Sequence, residues 1–131
     1  MIVVDTSVWI DLLRGHASAQ ADRLAELITD EAPIAITDIV YTELLQGVPD
    51  DLAARRLDDH LQVFPILRLE ALRDFALAAE LFRIARRAGK TIGKTNDCLI
   101  AAACVRAGAP ILHSDGDFDR LAECTPLTVF G

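Results

Sequence analysis

The sequence contains few of the residues that mark extracellular scaffolds, zinc enzymes or membrane spans. Three cysteines form no Cys-x-x-Cys pair, so neither a disulfide framework nor a zinc site is indicated. The three histidines are scattered and never spaced i, i+4. No apolar run approaches the roughly 20 residues that cross a bilayer, and the first residues lack a secretion signal. We expect a cytoplasmic protein without a membrane segment.

The length and the apolar pattern predict one α/β domain over residues 1–131. Short apolar runs alternate with amphipathic ones, which favours a mostly parallel sheet with crossover helices. The predicted strands are 1–4, 33–36, 63–66, 111–112 and 127–130. The predicted helices are 7–14, 18–29, 38–46, 50–60, 69–88, 96–107 and 116–122. Hydroxyl residues are predicted to cap four of them, namely Thr6 or Ser7, Thr37, Thr95 and Ser114.

Five carboxylates stand at the edges of apolar segments: Asp5, Glu43, Asp97, Asp115 and Asp117. Taken singly, each is more often a helix cap or a solvated turn residue. Taken together, acids that follow parallel strands meet at one edge of the sheet. Burying a charged carboxylate without a partner costs folding free energy, so a cluster of such carboxylates favours a bound cation. Ligands that are all oxygen atoms indicate Mg²⁺ or Mn²⁺.

The net charge of −7 argues against a nucleic-acid partner only if the acids are spread over the surface. Without the charges of the five carboxylates named above, the rest of the chain has a net charge of −7 + 5 = −2. Five basic residues also gather between 81 and 96, where no acid intervenes, and they could bind RNA or merely complement a helix dipole. They are Arg83, Arg86, Arg87, Lys90 and Lys94.

Polar residues beside the acids could orient them, and we assign this role to Thr6, Asn96 and Ser114. Ser7 also adjoins Asp5, and for this residue a helix-capping role is favoured over an orienting one. Trp9 shares one side of the first helix with apolar neighbours and is expected to pack in the core unless it is exposed.

Four segments resemble the PIN-domain ribonucleases of the VapC toxin type, which belong to bacterial type II toxin-antitoxin modules. The segments are Val3 to Ile10, Ile39 to Gly47, Asn96 to Ala102 and Gly108 to Phe118. They follow in the same order over nearly the whole chain. The resemblance implies an α/β/α sandwich with a central sheet of about five strands.

The resemblance further implies a Mg²⁺- or Mn²⁺-dependent endoribonuclease with one or two ions per site. Its catalytic acids and metal ligands map to Asp5, Glu43, Asp97 and Asp115, with Asp117 close by. A metal-activated water would cleave RNA and leave 5'-phosphate and 3'-hydroxyl ends.

The implied partners are RNA, a second copy of the chain in a homodimer, and a cognate VapB-type antitoxin. Candidate antitoxin contacts are Trp9, Leu12, Leu13, Leu44 and Leu45. Two alternatives stay open: a doubly wound phosphatase or phosphoacceptor domain, and a non-catalytic PIN-like module that acts through protein partners.

Overall fold

A central sheet of four parallel strands organises the protein, as described by a computed structural model of residues 1–131. The strands are β1 (Ile2–Val4), β2 (Ile34–Thr37), β3 (Ile66–Leu67) and β4 (Ile111–Leu112), in the order β3-β2-β1-β4. Val3 pairs with Ala35 on one side and with Ile111 on the other. Because every pairing is parallel, the carboxyl ends of all four strands share one edge.

All seven predicted helices form, with ends close to those predicted. They are α1 (Thr6–Arg14), α2 (Ala19–Thr29), α3 (Asp38–Gln46), α4 (Asp51–Leu61), α5 (Ala71–Arg87), α6 (Thr95–Ala107) and α7 (Gly116–Cys124). Thr37 caps α3 as predicted, since its side chain accepts a hydrogen bond from the Val40 N–H. The other three predicted caps are wrong: Asp5, Lys94 and Asp115 occupy those positions.

Two strand predictions need correction. The segment 127–130 forms no fifth strand; Val129 makes one parallel bridge to Ile111, because β4 has only two residues to offer. The strand predicted at 63–66 begins only at Ile66. Residues 62–64 instead complete the turn after α4, where the Phe64 N–H donates to the Leu61 carbonyl at 3.1 Å.

One cluster of 27 buried apolar residues forms the core. It includes Val3 and Val4 of β1, Ile36 of β2 and Phe118 of α7, all fully buried. Helix α6 contributes Ala101 and Ala102, whose small side chains allow close packing against its neighbours. No helix combines the length and the apolar character that crossing a membrane requires.

Candidate active site

The candidate site lies at the carboxyl ends of the two adjacent strands β1 and β4. Asp5 directly follows β1, and its N–H donates to the Leu112 carbonyl of β4 at 2.9 Å. Asp115 comes three residues after β4 and starts α7. The pairing of β1 with β4 therefore brings together two carboxylates that are 110 positions apart in the sequence.

All five predicted acids gather at this edge, in two subsets. Asp97, Asp115 and Asp117 each offer an oxygen, and these oxygens lie within 4.8 Å of one another. Asp5 and Glu43 lie outside that trio but line the same pocket of about 370 Å³ as Asp97 and Asp115. Ile10 is the one hydrophobic residue among those that line the pocket, which suits an ion and a phosphate better than an apolar ligand.

Asp5 is buried and strongly hydrogen-bonded. Its Oδ2 accepts from the N–H of Ser7 at 3.1 Å and from the Ser7 hydroxyl at 2.6 Å. Burial raises the pKa of Asp5 above its ordinary value, the bonds from Ser7 oppose that rise, and nearby Glu43 adds to it. Asp5 therefore caps α1 and faces the pocket at the same time.

Asp97, at the first turn of α6, is the least satisfied acid. It is 4% exposed, and its Oδ2 has no hydrogen-bond partner. Burial and the negative charges of Asp115 and Asp5 raise the pKa of Asp97 to about 7, although Lys94 acts in the opposite direction. A buried, unpartnered carboxylate oxygen beside two further carboxylates is a suitable ligand set for a hard divalent cation.

Cations contact the other two members of the trio. The Lys94 Nζ lies 3.9 Å from Asp115 Oδ2, and the Arg120 guanidinium donates to Asp117 Oδ1 at 2.7 Å. The second oxygen of Asp117 accepts from the Gly93 N–H at 3.2 Å. Asp117 is thus held by its own helix and by the loop that precedes α6.

Glu43 reaches the pocket from the middle of α3. Its two oxygens accept from the Thr6 hydroxyl at 2.7 Å and from the Asn96 amide at 3.5 Å. Thr6 and Asn96 therefore lie where orientation of an acid was predicted. Together they link the carboxylate of α3 to the first turns of α1 and α6.

Ser114 does not occupy the predicted orienting position, because its side chain is exposed and only its N–H is engaged, donating to the Ser7 hydroxyl at 3.2 Å. Ser7, for which a capping role was favoured, is the serine that holds Asp5. A hydroxyl two residues after an acidic N-cap is the signal that could have identified it.

His113 was also missed: it is buried, its Nδ1 accepts from the Asp115 N–H at 3.1 Å, and its Nε2 lies 3.1 Å from Asp119.

The five basic residues do not form one uniform surface. Arg83, Arg86 and Arg87 are exposed on α5. Lys90 is paired with Glu123 of α7 at 2.6 Å. The stretch from 81 to 96 contains no acid, but an acid distant in sequence neutralises this lysine. Lys94 extends into the acid pocket.

The proposed antitoxin contacts are only partly accessible. Trp9 and Leu44 are both 3% exposed and belong to the core, with the Trp9 ring packed edge-on against Phe64. Both therefore offer little surface to a partner. Leu12 and Leu45 are half-buried, and Leu13 is 54% exposed.

Sequence and structure comparisons agree with this geometry. The family model described as "PIN domain" matches residues 2–123. The chain is 41% identical to Ribonuclease VapC11 of Mycobacterium tuberculosis over 128 residues, which cover 97% of this chain and 96% of that relative. It is 33% identical to Ribonuclease VapC19 of the same species over 116 residues, or 88% and 89% of the two chains.

Among solved structures, VapBC2 from Rickettsia felis, bound to a DNA fragment from its promoter, contains a chain with the same fold. The TM-score is 0.77 at 24% identity, with 99% of this chain and 98% of that chain covered. The α/β fold is thus that of PIN domains. The chain belongs to the PIN-domain family and, within it, to the VapC type.

Proposed function

We propose that this protein is the toxin of a type II toxin-antitoxin module and a divalent-metal-dependent endoribonuclease. The observation that carries the proposal is the buried Asp97 oxygen without a partner, placed beside Asp115 and Asp117. Its relatives at 41% identity are named as ribonucleases. Membership of the PIN family argues against the phosphatase or phosphoacceptor alternative.

Mg²⁺ or Mn²⁺ would be held within the trio of Asp97, Asp115 and Asp117, and Asp5 and Glu43 line the same pocket as Asp97 and Asp115. When bound, such an ion activates water and stabilises negative charge on a phosphate. We treat residues 1–131 as one PIN domain that carries this site.

The residues of the chain itself hold and orient the acids. Ser7 fixes Asp5, and Thr6 with Asn96 fixes Glu43, so these carboxylates keep their direction when RNA arrives. Lys94 is positioned at the rim to contact a phosphate. His113 is occupied by Asp115 and Asp119 and offers no base for a 2'-hydroxyl. We therefore expect 5'-phosphate and 3'-hydroxyl product ends.

The antitoxin contact is proposed to lie in a groove of about 280 Å³ between α1, α3 and α4. Leu13 is its exposed apolar residue, and Glu43 lines both the groove and the acid pocket. A VapB-type segment seated there would reach the acids, and a basic side chain on it would be attracted to them. Exchanging Leu13 for aspartate should weaken that complex.

A cytoplasmic location follows from this proposal, because both RNA and antitoxin are found there.

A homodimer is proposed to form through α5. Leu72 is 82% exposed and Phe75 is 47% exposed, and both lie on one side of this helix. Exposed apolar side chains that cluster on a helix commonly mark an interface. Light scattering should therefore give a smaller mass for Phe75→Glu than for the wild type. The control is Val63→Glu, which changes an exposed residue outside α5 and should keep the mass of the wild type.

The deciding experiment is cleavage of total RNA by purified, antitoxin-free protein with Mg²⁺ or Mn²⁺, followed by mapping of the product ends. Discrete cuts with 5'-phosphates are expected, and EDTA or Asp97→Asn should abolish them. Asp22→Asn, an exposed acid on α2, is the matched control that should still cut. Cleavage by folded Asp97→Asn, or 2',3'-cyclic phosphate ends, would refute the proposal. Metal binding without any cleavage would favour the non-catalytic alternative.

A further inference from the structure

Arg120 is one of two cationic side chains that contact the acid cluster, and it makes the shorter contact. Its guanidinium donates to Asp117 Oδ1 at 2.7 Å, while Gly93 donates to the other oxygen of the same carboxylate. The side chain of Asp117 is only 13% exposed. Both oxygens of one member of the trio are therefore already occupied by the chain itself.

The remaining acids are not neutralised in this way. Asp97 Oδ2 has no partner. Asp115 Oδ1 accepts from the Asp117 N–H at 3.0 Å, and the one cation that contacts Asp115 is Lys94, at 3.9 Å and with a side chain that is 68% exposed. The cluster therefore divides into a part that is open to an external cation and a part that already holds one. A guanidinium stays charged at every physiological pH, so this internal cation cannot be titrated away.

Local packing places the guanidinium over the start of α7. A methyl group at Gly116 would lie 3.3 to 3.6 Å from the Arg120 guanidinium atoms, so the guanidinium lies directly against the first residue of α7. Arg120 thus folds back over its helix toward the acids. Arg23 also pairs with an acid three residues away, Glu26, at 3.1 Å, and the two arginines are similarly exposed; the difference is in the acid, which is 63% exposed for Glu26 and 13% exposed for Asp117.

We propose that Arg120 is a built-in counter-cation that limits the metal content of the resting site. With Arg120 on Asp117, the site takes one divalent ion at Asp97 and Asp115; a second ion binds well only when Asp117 is released. An RNA phosphate is the group chemically suited to draw Arg120 away, because guanidinium pairs with phosphate in the same forked geometry as with carboxylate. This inference rests on the proposed metal site and deepens it.

The test is titration of Mn²⁺ into metal-free protein, read by calorimetry and by the electron paramagnetic resonance signal of unbound Mn²⁺. No RNA is present, so the readout does not depend on activity. Wild type should bind one ion tightly. Arg120→Gln should bind a second ion at least about tenfold more tightly than wild type does. Arg120→Lys, which keeps the charge, should stay closer to wild type.

Matched variants test whether the change in Mn²⁺ affinity is specific to Arg120. Arg23→Gln removes a comparable exposed arginine and should bind Mn²⁺ as wild type does, whereas Asp97→Asn should lose the tight ion. Identical titrations for wild type and Arg120→Gln would overturn the counter-cation role and leave the proposed nuclease intact. If neither protein binds any ion, both this inference and the proposed metal dependence fail.

Discussion

The Ser7 hydroxyl lies 2.6 Å from Asp5 Oδ2 and also accepts the N–H of Ser114 at 3.2 Å. One small side chain therefore connects the residue after β1 to the loop after β4. This is the shortest of the hydrogen bonds that hold an acid in the pocket, and for its donor a helix-capping role was favoured from the sequence.

Removing that hydroxyl should impair cleavage as well as stability. Ser7→Ala leaves the buried Asp5 carboxylate without its strongest donor, so at pH 8 we expect about 1–3 kcal/mol less free energy of unfolding and roughly tenfold slower RNA cleavage. Denaturant melts and initial rates measure the two effects. Ser18→Ala, which removes the N-cap of α2, should lower stability without changing the rate. Equal rates for Ser7→Ala and Ser18→Ala would contradict the assignment.

Metal-free protein should become less stable as the pH rises toward neutrality. The pKa of Asp97 is about 7 in the folded chain and 3.8 ordinarily, so between these values the folded state binds more protons than the unfolded state. The contribution of Asp97 to stability is therefore greatest at acid pH and is lost as the pH passes about 7. Chemical denaturation from pH 5 to 8 measures this slope. Asp97→Asn should have a shallower slope, and parallel curves for the two proteins would refute the shifted pKa.

The affinity for Mn²⁺ should depend on pH through the same carboxylate, because a proton on Asp97 competes with the ion. Below a pH of about 7 the affinity should rise by up to about tenfold per pH unit, and above that value it should level off. Calorimetric titrations at several pH values give the profile. A flat profile between pH 5.5 and 7 would mean that Asp97 is already ionised there.

Asp74 and Arg106 form an ion pair remote from the site, and it should be important for stability. Asp74 is 1% exposed and accepts from Arg106 at 2.8 and 2.9 Å, which joins α5 to α6. Arg106→Met should cost about 3–5 kcal/mol because the buried carboxylate loses its partner. The double variant with Asp74→Leu should regain much of that loss. Arg23→Met, at an exposed pair, should cost less than about 1 kcal/mol. A comparable loss in both arginine variants would count against the buried pair.

The basic residues should contribute unequally to RNA binding. Arg86 is exposed on α5, whereas Lys90 is paired with Glu123 and that pairing lowers the pKa of the glutamate. Arg86→Gln should reduce the salt dependence of RNA affinity by about one counterion, and Lys90→Gln should change it less. Fluorescence anisotropy of a labelled RNA at several salt concentrations, on the Asp97→Asn background, measures both. A larger effect at Lys90 would mean that the ion pair opens on RNA.

The helices could be predicted because their signals are local. Apolar spacing and the residues at each end, such as Thr37 for α3, depend on only a few neighbours in sequence. Strand limits depend on a partner elsewhere in the chain. The prediction failed at Val129, where β4 is too short to pair further, and near Phe64, where the end of α4 continues into a turn.

The acids of the site were predictable for a different reason: Asp5 and Asp115 follow strands that must share an edge. The direction of individual side chains was not predictable. Sequence order does not tell that Ser7 turns back to Asp5, that Arg120 reaches Asp117, or that Glu123 binds Lys90. These contacts are set by tertiary packing, which the residue pattern alone does not specify.

Strand β1 receives its second neighbour late in the chain. Val3 leaves the ribosome early, but its partner Ile111 and the acids Asp97, Asp115 and Asp117 follow only after three of the four strands have been made. A nascent chain can therefore carry Asp5 and Glu43 without a complete set of acids. The acid cluster can be complete only once α7 has emerged and folded, so the nascent chain lacks it during most of its synthesis.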